Sequence, residues 1–245
     1  MPLRLAFLIV GSTLVAFLVG FKMATMMVRQ NTSPSLSFLD GLSRFPIWKF
    51  DKRQYDKETK KGIWNFMDED DNERSRHAIV GGVYIRNHAP PNGSILDIGC
   101  ATGTLSDFLI PTQTYEGYDL GCEAIQKGLQ KRQTVNLTCA DAATLTPSRT
   151  LYDVIVFSEM LYFVDVRAVI ERYRVLLRPK TGFIMVSLFK FLQLKGGKKM
   201  MKEDFARENI TAIVHALLKP VNMVEIIGET FDGKASWCIE MLRPA

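Results

Sequence analysis

The sequence predicts an α/β fold, a doubly wound and largely parallel sheet with helices on both faces. Three observations predict it. Residues Ser94–Asp119 read as strand, glycine turn, helix, strand, with an acid closing the second strand. Continuous apolar runs suited to buried parallel strands return at Tyr152–Phe157 and Phe183–Phe189. Segments of helical character separate these runs, which is the alternation expected of stacked βαβ units. A chain of 245 residues with 47% apolar content readily supplies the core of one such domain and leaves length for an appendage.

The first unit carries the chemistry. Ile95, Leu96 and Ile98 make a short central strand. Gly99 and Gly103 let the backbone turn tightly and approach a ligand. Thr104–Leu109 is expected as a helix whose N-terminus faces that ligand. Tyr115–Tyr118 forms the second strand and sets Asp119 at its carboxyl end, the position that binds ribose hydroxyls. Asp97 lies inside the turn motif, where its charge would repel a pyrophosphate. It suits a ligand with an amino group, such as the aminocarboxypropyl end of S-adenosylmethionine.

The run Asp97-Ile98-Gly99-Cys100-Ala101-Thr102-Gly103 resembles the D-x-G-x-G-x-G motif of class I S-adenosylmethionine-dependent methyltransferases. Ala101 stands where the middle glycine would be, a methyl-sized departure that bears on the depth of the cofactor pocket. The resemblance implies a Rossmann-like, seven-stranded methyltransferase sheet with S-adenosyl-L-methionine as cofactor. It assigns cofactor binding to Asp97, Gly99, Cys100, Ala101, Gly103, Asp119 and Leu120.

Ahead of this domain, Leu5–Phe21 is an uncharged apolar run flanked by Arg4 and Lys22. At about 1.5 Å per residue, such a helix just spans a ~30 Å hydrocarbon core. A cleavable signal peptide would carry an apolar region of about 7–15 residues and an A-x-A-like site, and no clear site follows. The expected organisation is a transmembrane signal-anchor at 1–28, a Ser- and Pro-containing stem at 29–50, and the catalytic domain at 51–245. The cations flanking the run are nearly balanced. N-x-S/T triplets at Asn31, Asn92, Asn136 and Asn209 tip the expectation towards a lumenal domain in the endoplasmic reticulum or Golgi. The acidic run Asp68–Glu73 suits a helix N-terminus, and Arg76–His88 is expected as a helix with Ile79, Val80, Val83 and Tyr84 on one face. Trp64, Arg74 and Arg76 are candidates for contact with cofactor or substrate, with surface salt bridging the plainer role for each arginine.

After Asp119, a helix is expected over Glu123–Arg132 and a third strand over Asn136–Cys139. In the resembled family an acid after this strand binds the adenine amine, and Asp141, with Ala142 beside it, matches. The fourth strand, Tyr152–Phe157, is the most apolar and therefore central. It runs into Ser158-Glu159-Met160-Leu161-Tyr162, and polar residues at that edge face the ligand crevice. This stretch is similar to the branch containing the nodulation N-methyltransferases, which act on the amino sugar of chito-oligosaccharides. The likeness covers about Tyr55–Leu242. A helix over Val166–Leu177, a turn over Arg178–Gly182, the strand Phe183–Phe189, a helix over Phe205–Leu218 and an antiparallel pair, Met223–Ile227 with Ser236–Met241, complete the expected domain. Phe189-Lys190 replaces a histidine-tryptophan pair of the nodulation enzymes.

Methyl transfer to a hydroxyl or ammonium needs a base. Glu159 is the first choice, with hydrogen bonding to the cofactor loop as its alternative role. Tyr162 and His215 are candidates for positioning the substrate, with a structural hydrogen bond as the alternative for His215. Ser158 joins the cofactor-binding set. The acceptor is expected to be oxygen or nitrogen of a carbohydrate or glycoconjugate. A cytosol-facing enzyme for lipids or small molecules and an inactive scaffold are the competing readings. A net charge of +5 with scattered basic residues does not suggest a nucleic-acid partner. The four cysteines show no C-x-x-C spacing, and no metal site is expected. Cys100, Cys122 and Cys139 fall at or just past strand ends. Buried thiols are the default for them, and convergence of strand ends leaves a disulfide open.

Overall fold

A computed structural model describes residues 52–62, 71–148, 151–194, 206–230 and 233–244. The expected anchor, the stem and Trp64 lie outside these residues. Among the described residues, no helix is long and apolar enough to cross a membrane.

The chain forms a seven-stranded sheet in the order β3-β2-β1-β4-β5-β7-β6. Helix α1 (Lys52–Lys60) comes first. It is followed by a helical run that we label α2, composed of Asp71–His77, a π-helical middle Ala78–Ile85 and a last turn Arg86–His88. Strand β1 (Ser94–Ile98) leads through a short 3-10 turn, Thr104–Phe108, to β2 (Thr114–Asp119). Then come α3 (Cys122–Lys131), β3 (Asn136–Cys139), β4 (Val154–Ser158), a 3-10 turn (Leu161–Phe163), α4 (Val166–Arg174) and β5 (Phe183–Leu194). Helix α5 (Ala206–Leu217) precedes the hairpin of β6 (Leu218–Thr230) and β7 (Gly233–Pro244).

β1 is buried along its whole length between β2 and β4, both parallel to it. Its side chains alternate across the sheet, as the pleat requires. Leu96 and Ile98 join Phe157, Ile170 and Tyr173, with Ile210 and Val214 of α5, in the core on one face. Ile95 joins Val154, Val156 and Met185, with Val80, Tyr84 and Ile85 of α2, on the other. β7 runs antiparallel to both β5 and β6.

Several boundaries depart from the expected ones. The segment after the glycine turn is a five-residue 3-10 turn, not an α-helix over Thr104–Leu109. α2 already takes in Asp71–His77, ahead of the expected start at Arg76. β4 starts at Val154, since Tyr152 instead bridges to Leu177 behind the strand. α4 ends at Arg174, short of the expected Leu177. β5, β6 and β7 all extend beyond their apolar cores. In an antiparallel ladder, backbone pairing continues through polar residues such as Lys219 and Lys234 that break the apolar pattern.

Glu116 of β2 locks the loop before β4 onto the sheet. Its carboxylate accepts from the Tyr152 hydroxyl at 2.8 Å and the Ser148 amide at 3.0 Å, and also from the hydroxyls of Tyr118 and Ser148. Burial opposes its charge, but these donors together hold its pKa below the ordinary carboxylate value. A depressed carboxylate stabilises the fold above the unfolded-state pKa, and the gain vanishes as pH falls through the folded-state value. Glu116→Gln is therefore expected to cost about 1–3 kcal/mol at pH 7. The deficit against the parent should shrink towards pH 3 in urea-unfolding curves.

Candidate active site

The site lies at the carboxyl ends of β1, β2 and β4, where the glycine turn crosses the sheet edge. Gly99 and Cys100 donate their amides to the Tyr118 carbonyl at 2.8 and 3.1 Å, which bends the chain back over β2. Gly99 and Gly103 hold left-handed φ values of 80° and 79°. Glycine has no Cβ to clash there. Ala101 is also left-handed, with φ 49°, so the turn keeps its shape at a strain cost where the resembled motif has glycine.

Asp119 holds this turn. Its Oδ2 accepts from the Ala101 amide at 2.9 Å, and its Oδ1 from the Gly121 amide at 2.6 Å. Burial raises its pKa, and the two amides act in the opposite direction. Each oxygen keeps a second lone pair, so the carboxylate can still accept from a ribose diol. Leu120 is half-buried in the adjoining turn. Asp141 opens the loop after β3, exposed, with Oδ1 accepting from the Ala143 amide at 2.8 Å. The Ala142 carbonyl accepts from the Tyr173 hydroxyl at 2.8 Å, which fastens that loop to α4.

A second group surrounds Arg76 of α2. Contrary to the surface role expected for it, Arg76 is buried. It donates to Glu73 Oε2 through Nη2 at 2.6 Å and Nε at 3.2 Å, and to Ser158 Oγ through Nη1 at 3.1 Å. Burial opposes its charge, but Glu73, Glu159 and Asp97 hold the guanidinium protonated. Arg74, by contrast, lies over the Phe108 ring, 5.5 Å from its centre. Asp97 Oδ2 accepts from the Tyr115 hydroxyl at 2.8 Å, and Glu159 Oε1 from the Ser187 hydroxyl at 2.7 Å. Asp97 Oδ1 and Glu159 Oε2 are buried with no hydrogen-bond partner. Burial pushes both carboxyls up to about 7, against the pull of Arg76 and of their hydroxyl donors. Glu159 also has a left-handed backbone, φ 54°. Strain of this kind on a non-glycine residue concentrates at functional sites.

The predicted residues separate into two sets. Asp97, Gly99, Cys100, Ala101, Gly103, Asp119, Ser158 and Glu159 meet at this sheet edge, with Leu120, Asp141 and Ala142 on the neighbouring loops. Tyr162 and His215 have structural partners. The buried Tyr162 donates to the Phe189 carbonyl at 2.7 Å, and His215 pairs with Glu240 between α5 and β7. Of the three expected catalytic side chains, Glu159 alone presents a buried oxygen without a partner. Cys122 and Cys139 form a disulfide joining the start of α3 to the end of β3, which corrects the default of buried thiols for that pair. Cys100 remains a buried thiol, pushed up by burial and by Asp97 and Asp119. Among the described residues, no cluster of His, Cys, Asp and Glu could hold a metal ion.

These residues fit S-adenosylmethionine. Asp97 Oδ1 is a buried acceptor suited to an ammonium, Asp119 suits a ribose diol, and the tight turn lets the backbone come close to a ligand. Residues 73–210 match the family model described as a methyltransferase domain. No curated protein matches the chain in sequence. Among solved structures, it resembles the N-methyltransferase NodS from Bradyrhizobium japonicum WM9 in complex with S-adenosyl-L-homocysteine. That likeness has 20% identity and a TM-score of 0.60, covering 78% of this chain and 97% of that one. It also resembles the PH0226 protein from Pyrococcus horikoshii OT3, at 15% identity and a TM-score of 0.54, over 76% and 99% of the two chains. A S-adenosylmethionine-dependent methyltransferase from Methanosarcina mazei aligns at 16% identity and a TM-score of 0.53, over 66% and 97%. At these identities the likeness is one of fold. Restoring glycine at the strained position, Ala101→Gly, is expected to stabilise the ligand-free protein by about 1 kcal/mol, read as a rise in melting temperature.

Proposed function

We propose, because this chain belongs to the family of S-adenosylmethionine-dependent methyltransferase domains, that it methylates an amine on a carbohydrate or glycoconjugate in the secretory lumen. The cofactor supplies an electrophilic methyl group on a sulfonium, so the protein's main task is alignment together with management of the acceptor's proton. One observation carries the nitrogen reading, the buried Glu159 Oε2 with no partner. Asp97 supplies one acceptor for the cofactor's ammonium. Glu159 supplies another at the end of β4, suited to hold a cationic acceptor and to take its proton before transfer. Ser187 donates to Oε1, and the charge of Arg76 favours the ionised carboxylate.

A carbohydrate acceptor is supported by the likeness of Ser158–Tyr162 to the nodulation enzymes. Lumenal residence is supported by two features of the described residues. The Cys122–Cys139 disulfide belongs in an oxidising compartment. Asn92 and Asn136 of the N-x-S/T triplets are exposed. Leu5–Phe21 would be the anchor that holds the domain at the membrane.

Two measurements test this reading. If Glu159 is the base, turnover rises with pH through about 7, because the protonated carboxyl below that value cannot accept. Glu159→Gln is then expected to lower turnover by about 10²–10⁴-fold and abolish that rise, with affinity for S-adenosylhomocysteine nearly unchanged. An unaltered pH profile would remove Glu159 from the role. Full-length protein made in animal cells is expected to gain mobility on N-glycosidase treatment and to transfer labelled methyl groups to glycan fractions. No mobility shift, with the domain open to protease in intact microsomes, would move it to the cytosol and favour lipid or small-molecule acceptors.

A further inference from the structure

Asp119 ends β2, and its partner across the parallel ladder is Cys139. Just past Asp119, Cys122 opens α3, and the disulfide ties it back to Cys139. The bond therefore closes the turn 119–122 onto the end of β3. It joins the two segments carrying Asp119 and Asp141, the acids that the resemblance assigns to ribose and adenine. The Gly121 amide, held by Asp119 Oδ1 at 2.6 Å, lies within the closed turn. The Tyr55 ring also abuts this turn, since a Cβ placed on Gly121 would stand 2.1 Å from its Cε1.

Each sulfur already has a partner for the reduced state. Lys52 Nζ lies 3.2 Å from Cys122 Sγ and is steadied by its ion pair with Asp56 at 2.7 Å. Asp56 in turn caps α3, its Oδ1 taking the Glu123 amide at 3.2 Å, so the ammonium is fixed to the helix start beside it. Cys122 is the first residue of that helix, and a helix N-terminus with a neighbouring cation favours a thiolate. Cys139 Sγ lies 3.7 Å from the Leu120 carbonyl, which can accept from a thiol. Both cysteines are half-buried, whereas Cys100 and Cys238 are buried. A disulfide whose reduced form is stabilised in this way is the more readily reduced. We propose that the Cys122–Cys139 pair is a redox switch on cofactor binding, opened by a dithiol, with Lys52 as the residue that eases its opening. A thiolate of the dithiol attacks Cys139 Sγ, the S–S bond breaks, and Cys122 leaves as a thiolate beside Lys52. The second sulfur of the dithiol then displaces Cys139 and the reductant ends as a disulfide. Two electrons pass to the cysteine pair. Of the dithiol's two protons, one goes to Cys139 and one to solvent. The open turn no longer ties the start of α3 to β3, so the surroundings of Asp119 are less preorganised and the cofactor binds more weakly.

The test uses the full chain and S-adenosylhomocysteine, which has no methyl group to transfer, so the result is independent of the acceptor. Dithiothreitol without denaturant is expected to open Cys122 and Cys139, and not Cys100 or Cys238, to iodoacetamide, read by peptide mapping. The calorimetric Kd should then rise about five- to tenfold and return to its starting value on reoxidation. The double variant Cys122→Ser with Cys139→Ser should show the weaker Kd and no response to dithiothreitol. Lys52→Met, which keeps the disulfide, should leave the oxidised Kd unchanged and slow reduction about tenfold. A Kd unchanged by complete reduction, a disulfide reduced only after urea has unfolded the sheet, or reduction of Lys52→Met as fast as the parent would overturn the proposal.

Discussion

The site depends on the two hydrogen bonds that Asp119 accepts from the Ala101 and Gly121 amides. They join two crossings of the sheet edge, the glycine turn after β1 and the turn into α3. A buried carboxylate can hold both amides at once because it carries two oxygens with lone pairs to spare. Around this point gather the disulfide between Cys122 and Cys139, the capping of α3 by Asp56 and the contact of Tyr55 with Gly121. Each restrains the same few residues of backbone, so the pocket is shaped before a ligand arrives. Preorganisation of this kind lowers the entropy cost of binding.

The second theme is charge confined away from water. Glu73, Asp97 and Glu159 surround a single guanidinium, that of Arg76. Glu73 is satisfied by a two-donor contact, whereas Asp97 and Glu159 each keep an unpartnered oxygen. Their carboxyls sit near neutrality because burial penalises the charge that Arg76 only partly offsets. A cationic ligand supplies what the protein withholds. A cation bound there would favour the ionised form of either carboxyl, so charge and protonation are coupled in one cluster.

Legibility in the sequence followed the range of the forces involved. β3 was readable to the residue and β1 to within one, and the glycine turn and Asp119 followed from local chemistry. The last two strands were located but read short, since antiparallel pairing carries them through polar residues. Arg76 was named as a candidate contact, but its burial was not readable, because nothing in its neighbourhood along the chain announces Ser158, 82 residues away. Tyr162 and His215 looked catalytic beside their motifs, yet tertiary packing gave their polar atoms to Phe189 and Glu240. Tyr55 and Glu116 carried no signal at all, each being an ordinary polar residue in an ordinary stretch.

By itself, the sequence determined the order of strands along the chain, the tight glycine turn and the acids within β1 and at the end of β2. These rest on backbone sterics and on an apolar pattern that acts over a few residues. The tertiary structure decided which acids keep an unpartnered oxygen, which cysteines pair and which aromatic ring lies on the cofactor turn. Those outcomes depend on groups tens of residues apart being brought to within a few ångströms. Their pKa values and bonding depend on the burial that only the assembled sheet creates.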